Sequence, residues 1–92
     1  MSRTGWVWTD GHIVGSLDAW HVAYIWDGEL HRTRDNAIRI GLREYGSDDF
    51  NIAHIVNDEI VWWGWMNEPH DIGDAAEFAE QHGLTVAASS SP

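Results

Sequence analysis

Two short runs hold the residue types best suited to chemistry: Asp48-Asp49 and Glu68-Pro69-His70-Asp71. General acid–base catalysis needs paired carboxylates in a cleft, or a nucleophile with a positioned base. Asp48 with Asp49 and Glu68 with His70 are the adjacent pairs of that kind, and neither sits in a catalytic motif. A chain of 92 residues also leaves little room for a cleft. The expectation is therefore a protein that is not an enzyme. The 68–71 run offers three oxygen or nitrogen ligands without a fourth. The six histidines (His12, His21, His31, His54, His70 and His82) form neither H-x₃-H nor H-E-x-x-H. Zinc requires convergent, well-spaced donors, so neither metal nor cofactor is expected. Cysteine is absent, which removes disulfides and thiolate chemistry.

The carboxylates are better placed for binding than for catalysis. Residues 1–43 hold all five basic residues, all arginine, against five acids. Residues 44–92 hold ten acids and no Lys or Arg, so the whole formal charge of −10 falls on the second half. Asp71 and Asp74 serve a helix start, where carboxylates cap amides and oppose the dipole. Glu77 and Glu80 read as a solvated face. The lack of compensating cations needs more, because ordinary surfaces intersperse both signs. Duplex DNA carries one charge per roughly 1.7 Å, and ten carboxylates on one small lobe come within a few-fold of that density. Such a lobe fits the basic groove of a nucleic-acid-handling protein or defence complex, as in the small acidic inhibitors of phages and mobile elements. Solubility or high-salt adaptation is the competing reading.

This assigns partner binding to Asp48, Asp49, Asp58, Glu59, Glu68, Asp74, Glu77 and Glu80, with Trp63 or Trp65 as anchor, since Trp and Arg dominate interface hot spots. Direct nucleic-acid binding is not expected, because base-stacking aromatics work beside a cationic groove. Arg32, Arg39 and Arg43 fall near one side of a helix, with Asp35–Arg39 a favourable i,i+4 pair. The alternative function is a structural module that homodimerises through the Trp-rich strand 60–66, both faces of which are apolar.

The elements that must position these residues follow from turn signals. Asp10-Gly11, Asp27-Gly28 and Asn57-Asp58 each separate apolar runs, and Asp-Gly favours the type I′ turn of a two-residue hairpin. The second hairpin would pair Ile25 with Leu30. In the third, a two-residue loop would put Phe50, Ile52, His54, Val61, Trp63 and Trp65 on one face, and Asn51, Ala53, Ile55, Ile60, Trp62 and Gly64 on the other. Thr33 to Tyr45 reads as a helix, capped by Thr33 or Asp35, with Ile38, Gly41, Leu42 and Tyr45 on one side and Gly46 at C′. Gly41 costs about 1 kcal/mol there, which implies close packing. A second helix is predicted over 72–82, with Asp71 at the N-cap and a Schellman stop at Gly83-Leu84.

The order ββ-ββ-α-ββ-α predicts one α+β domain over 1–86: an antiparallel sheet of about six strands with both helices on one face. Residues 87–92 form a Ser-rich tail, expected to be flexible. No run approaches about 18 apolar residues and no signal-peptide pattern opens the chain, so a cytoplasmic location is expected. The acidity also argues against an anionic membrane surface as partner.

Overall fold

The computed structural model describes Ser2–Ala87. Six strands and two helices make an α+β fold: β1 Gly5–Ser16, β2 Ala19–Ile25, α1 Arg34–Tyr45, β3 Asn51–Val56, β4 Glu59–Trp65, β5 Glu68–Pro69, α2 Ala76–Gln81 and β6 Thr85–Val86. A 3₁₀ turn, Ile72–Ala75, leads directly into α2. The sheet order is β2-β1-β3-β4-β5, and β6 joins the outer side of β4. All pairings are antiparallel except β4 with β6, where Glu59 and Ile60 face Thr85 and Val86 in parallel.

Local signals set α1 and its ends. Thr33 is the N-cap, its Oγ1 accepting from the Asn36 amide at 3.0 Å. Gly46 closes the helix in the left-handed region (φ 86°) and donates to the Leu42 carbonyl. Gly41 is buried, and a Cβ there would stand 2.7 Å from the Phe50 ring and 3.1 Å from Trp8. α2 ends as expected, with Gly83 at φ 70° and the Leu84 amide bonded to Ala79 O. Its start differs: residues 72–75 wind as 3₁₀, and the Asp71 side chain makes no capping bond.

The hairpins required correction. Asp10-Gly11 is not a turn. β1 runs unbroken through it, pairing with β3 over Gly5–Thr9 and with β2 over Asp10–Ser16. Gly11 instead makes room for an aromatic ring, since a Cβ there would meet Tyr24 at 2.9 Å. The chain reverses at Leu17-Asp18, between paired Ser16 and Ala19. Asp27-Gly28 does turn the chain, with Gly28 at φ 87°, but the return segment leaves β2. Ile25 pairs with Asp10, not Leu30, and His31 bridges to Trp6 farther along the same edge of β1, opposite β3. Asn57-Asp58 is the expected tight turn, with both residues at positive φ (52° and 65°).

A register shift past that turn overturns the expected face assignment. Ile55 opposes Ile60, yet His54 opposes Trp62, which leaves Val61 as the extra residue of a bulge. One added residue moves every later side chain of the strand to the other face. Trp63 therefore joins Val7, Ala53, Ile55 and Ile60 against α2 residues Phe78 and Ala79. Trp62 joins Phe50, Ile52, Trp6 and Trp8 against α1 residues Ala37 and Ile38. Val7 lies between Trp6 and Trp8 in a strand, and Ala53 follows Ile52, so these clusters occupy opposite sheet faces. The helices thus cover two faces, not one. The reason is that every central strand is apolar on both sides and needs two covers. The expected tail falls outside the described residues except Ala87, whose amide bonds to Ile60 O.

Candidate protein-binding face

The ten carboxylates of the second half do not gather into a single lobe. Asp48 and Asp49 are exposed on the loop between α1 and β3. Glu68 lies at the Trp65 end of β4, while Asp58 and Glu59 lie at the other end, about 20 Å away at strand rise. Asp71, Asp74, Glu77 and Glu80 are all exposed along the 3₁₀ turn and α2. The arginines are sorted too. Arg34, Arg39 and Arg43 are on α1, with Arg32 just before it. Arg34 lies over the rings of Trp6 (5.6 Å) and Trp62 (5.3 Å), a cation–π clamp on the α1 face. Arg39 donates to Asn36 Oδ1 at 2.6 Å, so the expected Asp35–Arg39 pair is replaced by a neutral acceptor.

Arg3 is the cation that reaches the α2 side, and it is spent on structure. Its Nε donates to Asp58 Oδ1 at 2.7 Å, and its terminal nitrogens donate to the carbonyls of His82 and Gly83. A cation at the end of a helix meets the negative end of its dipole. Asp58 is therefore no free carboxylate, which corrects its assignment to partner binding. The Arg3 side-chain bond, then the Arg3 backbone bond, hold its pKa below the usual 3.8. A depressed folded pKa adds stability above about pH 3.8 that is lost as pH falls through the folded value. Asp58→Asn is expected to lower the urea midpoint at pH 7, with the gap to wild type closing as pH drops below 3.8. A gap unchanged from pH 7 to 2 would rule out the ion pair as its source.

Trp63, expected as a surface anchor, is 3% exposed and belongs to the core. Trp65 is 38% exposed, with its indole N–H donating to Asp48 O at 2.6 Å. That bond ties the β4 end to the Asp48 loop. Trp62 and Trp63 of strand 60–66 are each packed beneath a helix, while Val61 and Trp65 of the same strand stay exposed.

The most exposed tryptophan among the described residues is Trp20, at 62%. It belongs to a two-stranded ribbon formed by the ends of β1 and β2, on which residues 11–21 are all exposed. Ile13 faces Val22, and Gly15 faces Trp20. Strand alternation carries Ile13, Trp20, Val22 and Tyr24 on the α2 side of the ribbon. Leu17 at the tip is 99% exposed. A hollow of about 600 Å³ lies among Ile13, Leu17 and Trp20. A second, of about 490 Å³, lies where the ribbon meets the 3₁₀ turn and α2, with Trp20, Tyr24, Trp63, His70, Asp74 and Glu77 around it.

Side chains of α2 hold the ribbon's base. The Val22 amide donates to Glu77 Oε2 (3.2 Å) and the Tyr24 amide to Gln81 Oε1 (2.8 Å). Gln81 Nε2 donates to Val22 O, and His82 Nε2 donates to Tyr24 O, both at 2.7 Å. Glu77 is thus partly structural. Burial, then the charges of Glu77 and Asp74, push the Tyr24 hydroxyl pKa up, which places both carboxylates within electrostatic reach of the ring.

The other chemistry-bearing residues stay apart. Glu68 and His70 are both exposed. Among the described residues no three His, Asp or Glu side chains converge as metal ligands. No helix among them is long and apolar enough to cross a membrane. A pair not foreseen in the sequence is Asp10 with His12, Oδ2 to Nε2 2.6 Å, on the α1 face beside Tyr45. Reading Asp10 as a turn residue hid it. Trp20 carries no sequence signal of exposure, which follows only from β1 continuing past Asp10 to pair with β2. No protein-family model, curated protein or solved structure matches the chain.

Proposed function

We propose that this chain is a non-catalytic protein-binding module whose α2-side face docks on a basic protein surface. The partner class is a nucleic-acid-handling protein, such as the effector of a defence complex, inhibited by occlusion of its cationic site. The observation that carries this reading is four exposed carboxylates along residues 71–80, Asp71, Asp74, Glu77 and Glu80, with no arginine among them and exposed Trp20 beside Asp74 and Glu77. A one-sign face raises encounter rates with the opposite sign, and a neighbouring Trp supplies the desolvated contact that slows release. Asp48, Asp49, Glu59 and Glu68 then contribute to the long-range field and not to the contact.

The test compares two variants of equal net charge against immobilised poly-L-arginine. In one, Asp71, Asp74 and Glu80 become Lys; in the other, Asp48, Asp49 and Glu59 do. The first is expected to associate about tenfold more slowly than wild type at 50 mM salt, and the second no more than about threefold. Both gaps should close by about 0.5 M salt, where screening is strong. Equal losses in the two variants would show that only net charge matters and would overturn the assignment of this face.

A further inference from the structure

The groove between the ribbon and the 3₁₀–α2 segment has a composition that a general acidic patch does not need. It is lined by the aromatic residues Trp20, Tyr24 and Trp63, by the acids Asp74 and Glu77, and by Asn51 and His70. Tyr24 and Trp63 meet edge to face, with centroids 5.5 Å apart at 83°, so two ring planes of different orientation border one space. Trp63 is fixed by the core. Trp20 has no ring partner among the described residues and is the adjustable wall. Asp74 accepts no side-chain hydrogen bond within the described chain, and Glu77 uses only Oε2, on Val22.

We infer that this groove is a receptacle for a single arginine side chain presented by the basic partner, an inference that rests on the function proposed above. The walls demand a group that is cationic, planar and tolerant of desolvation. A guanidinium stacks on an aromatic face and offers a rigid fork of donors to a carboxylate. Asp74 can take that fork with both oxygens, and Glu77 Oε1 can take a further donor. A lysine ammonium keeps the charge but lacks the plane and sheds water less readily. A volume of about 490 Å³ is enough for one long side chain and part of its backbone, not for a folded element. The Glu77, Gln81 and His82 bonds lock β2, which carries Tyr24, to α2, which carries Glu77, and Trp63 is held in the core, so all but the Trp20 wall is formed before the partner arrives.

The experiment titrates the full chain with a five-residue peptide, Gly-Ser-Arg-Ser-Gly with blocked ends, and with the same peptide carrying citrulline, the neutral isostere of arginine. Binding is followed by the indole N–H signals of Trp20 and Trp63 and the amide signals of 70–77. The arginine peptide is expected to shift those signals with a dissociation constant on the order of 1 mM, and citrulline to bind at least tenfold more weakly. Asp74→Asn, nearly isosteric, and Trp20→Ala, on an exposed ribbon, should each weaken the arginine peptide at least fivefold. Equal binding of the two peptides, or shifts confined to other residues, would overturn the receptacle. If the receptacle fails while poly-arginine association still depends on Asp71, Asp74 and Glu80, the acidic face stands without a specific pocket. If the peptide fills the groove but association is indifferent to where charge is reversed, the receptacle stands and the broader docking reading falls.

Discussion

Phe78→Ala is expected to remove about 3–5 kcal/mol of stability, the usual cost of emptying a buried phenyl site. Phe78 is fully buried and is the hub of the α2-side core. Its ring lies 6.0 Å from Tyr24, 5.8 Å from Trp26, 5.7 Å from Trp63 and 4.9 Å from His82. Those rings come from the end of β2, from β4 and from the end of α2, each held by its own element, so little can collapse into the gap. Domains of this size have stabilities toward the low end of about 5–15 kcal/mol, and the variant should therefore be partly unfolded at 25 °C. Urea titration followed by tryptophan fluorescence reads this directly. A loss under 1 kcal/mol would mean that α2 does not seat on the sheet through Phe78.

Gly64→Ala should be the next most damaging change, at about 3 kcal/mol, the upper part of the usual cost of overpacking. Gly64 sits near the end of β4, between Ile52 on β3 and Pro69 on β5. A Cβ there would lie 2.2 Å from Glu68 O and 2.6 Å from the Trp62 ring. The nearer atom is backbone, so a side-chain rotation cannot relieve the clash. β5 must move away, which threatens the His70 amide bond to Trp63 O. Faster amide exchange at His70 together with a lower urea midpoint would confirm this. Wild-type exchange at His70 would show that the clash is absorbed elsewhere.

What was legible in the sequence was local. The Thr33 cap, the Gly46 and Gly83 stops and the Asn57-Asp58 turn each depend on a few consecutive residues, and all formed. Gly41 was legible for a different reason: a helix accepts a poor former only where space is short. The misread features depend on distant partners. Whether Asp10-Gly11 turns is decided by β3, some forty residues on, which holds Gly5–Thr9 extended and aims β1 onward to meet β2. The faces of Trp62 and Trp63 were exchanged by one bulged residue, Val61, which has no turn signal of its own. For the site, the run of exposed carboxylates along residues 71–80 could be read from composition. Asp58 could not be separated from it, because its partner Arg3 is 55 residues away. Trp20 could not be recognised as the most exposed tryptophan until the ribbon was known to leave the sheet.

The bonds from Glu77, Gln81 and His82 to the backbone of Val22 and Tyr24 have a consequence for self-assembly. An outer strand with free amides and carbonyls is a template on which another chain can extend the sheet, the first step toward fibrils. Here three side chains of a helix take the places that an incoming strand would need, and do so without adding a strand. At the opposite margin β5 and β6 are only two residues long, which leaves little strand to serve as a template. The sheet edge is therefore closed to an incoming strand at Val22 and Tyr24, the length that α2 guards, while the two-stranded arm beyond it stays exposed.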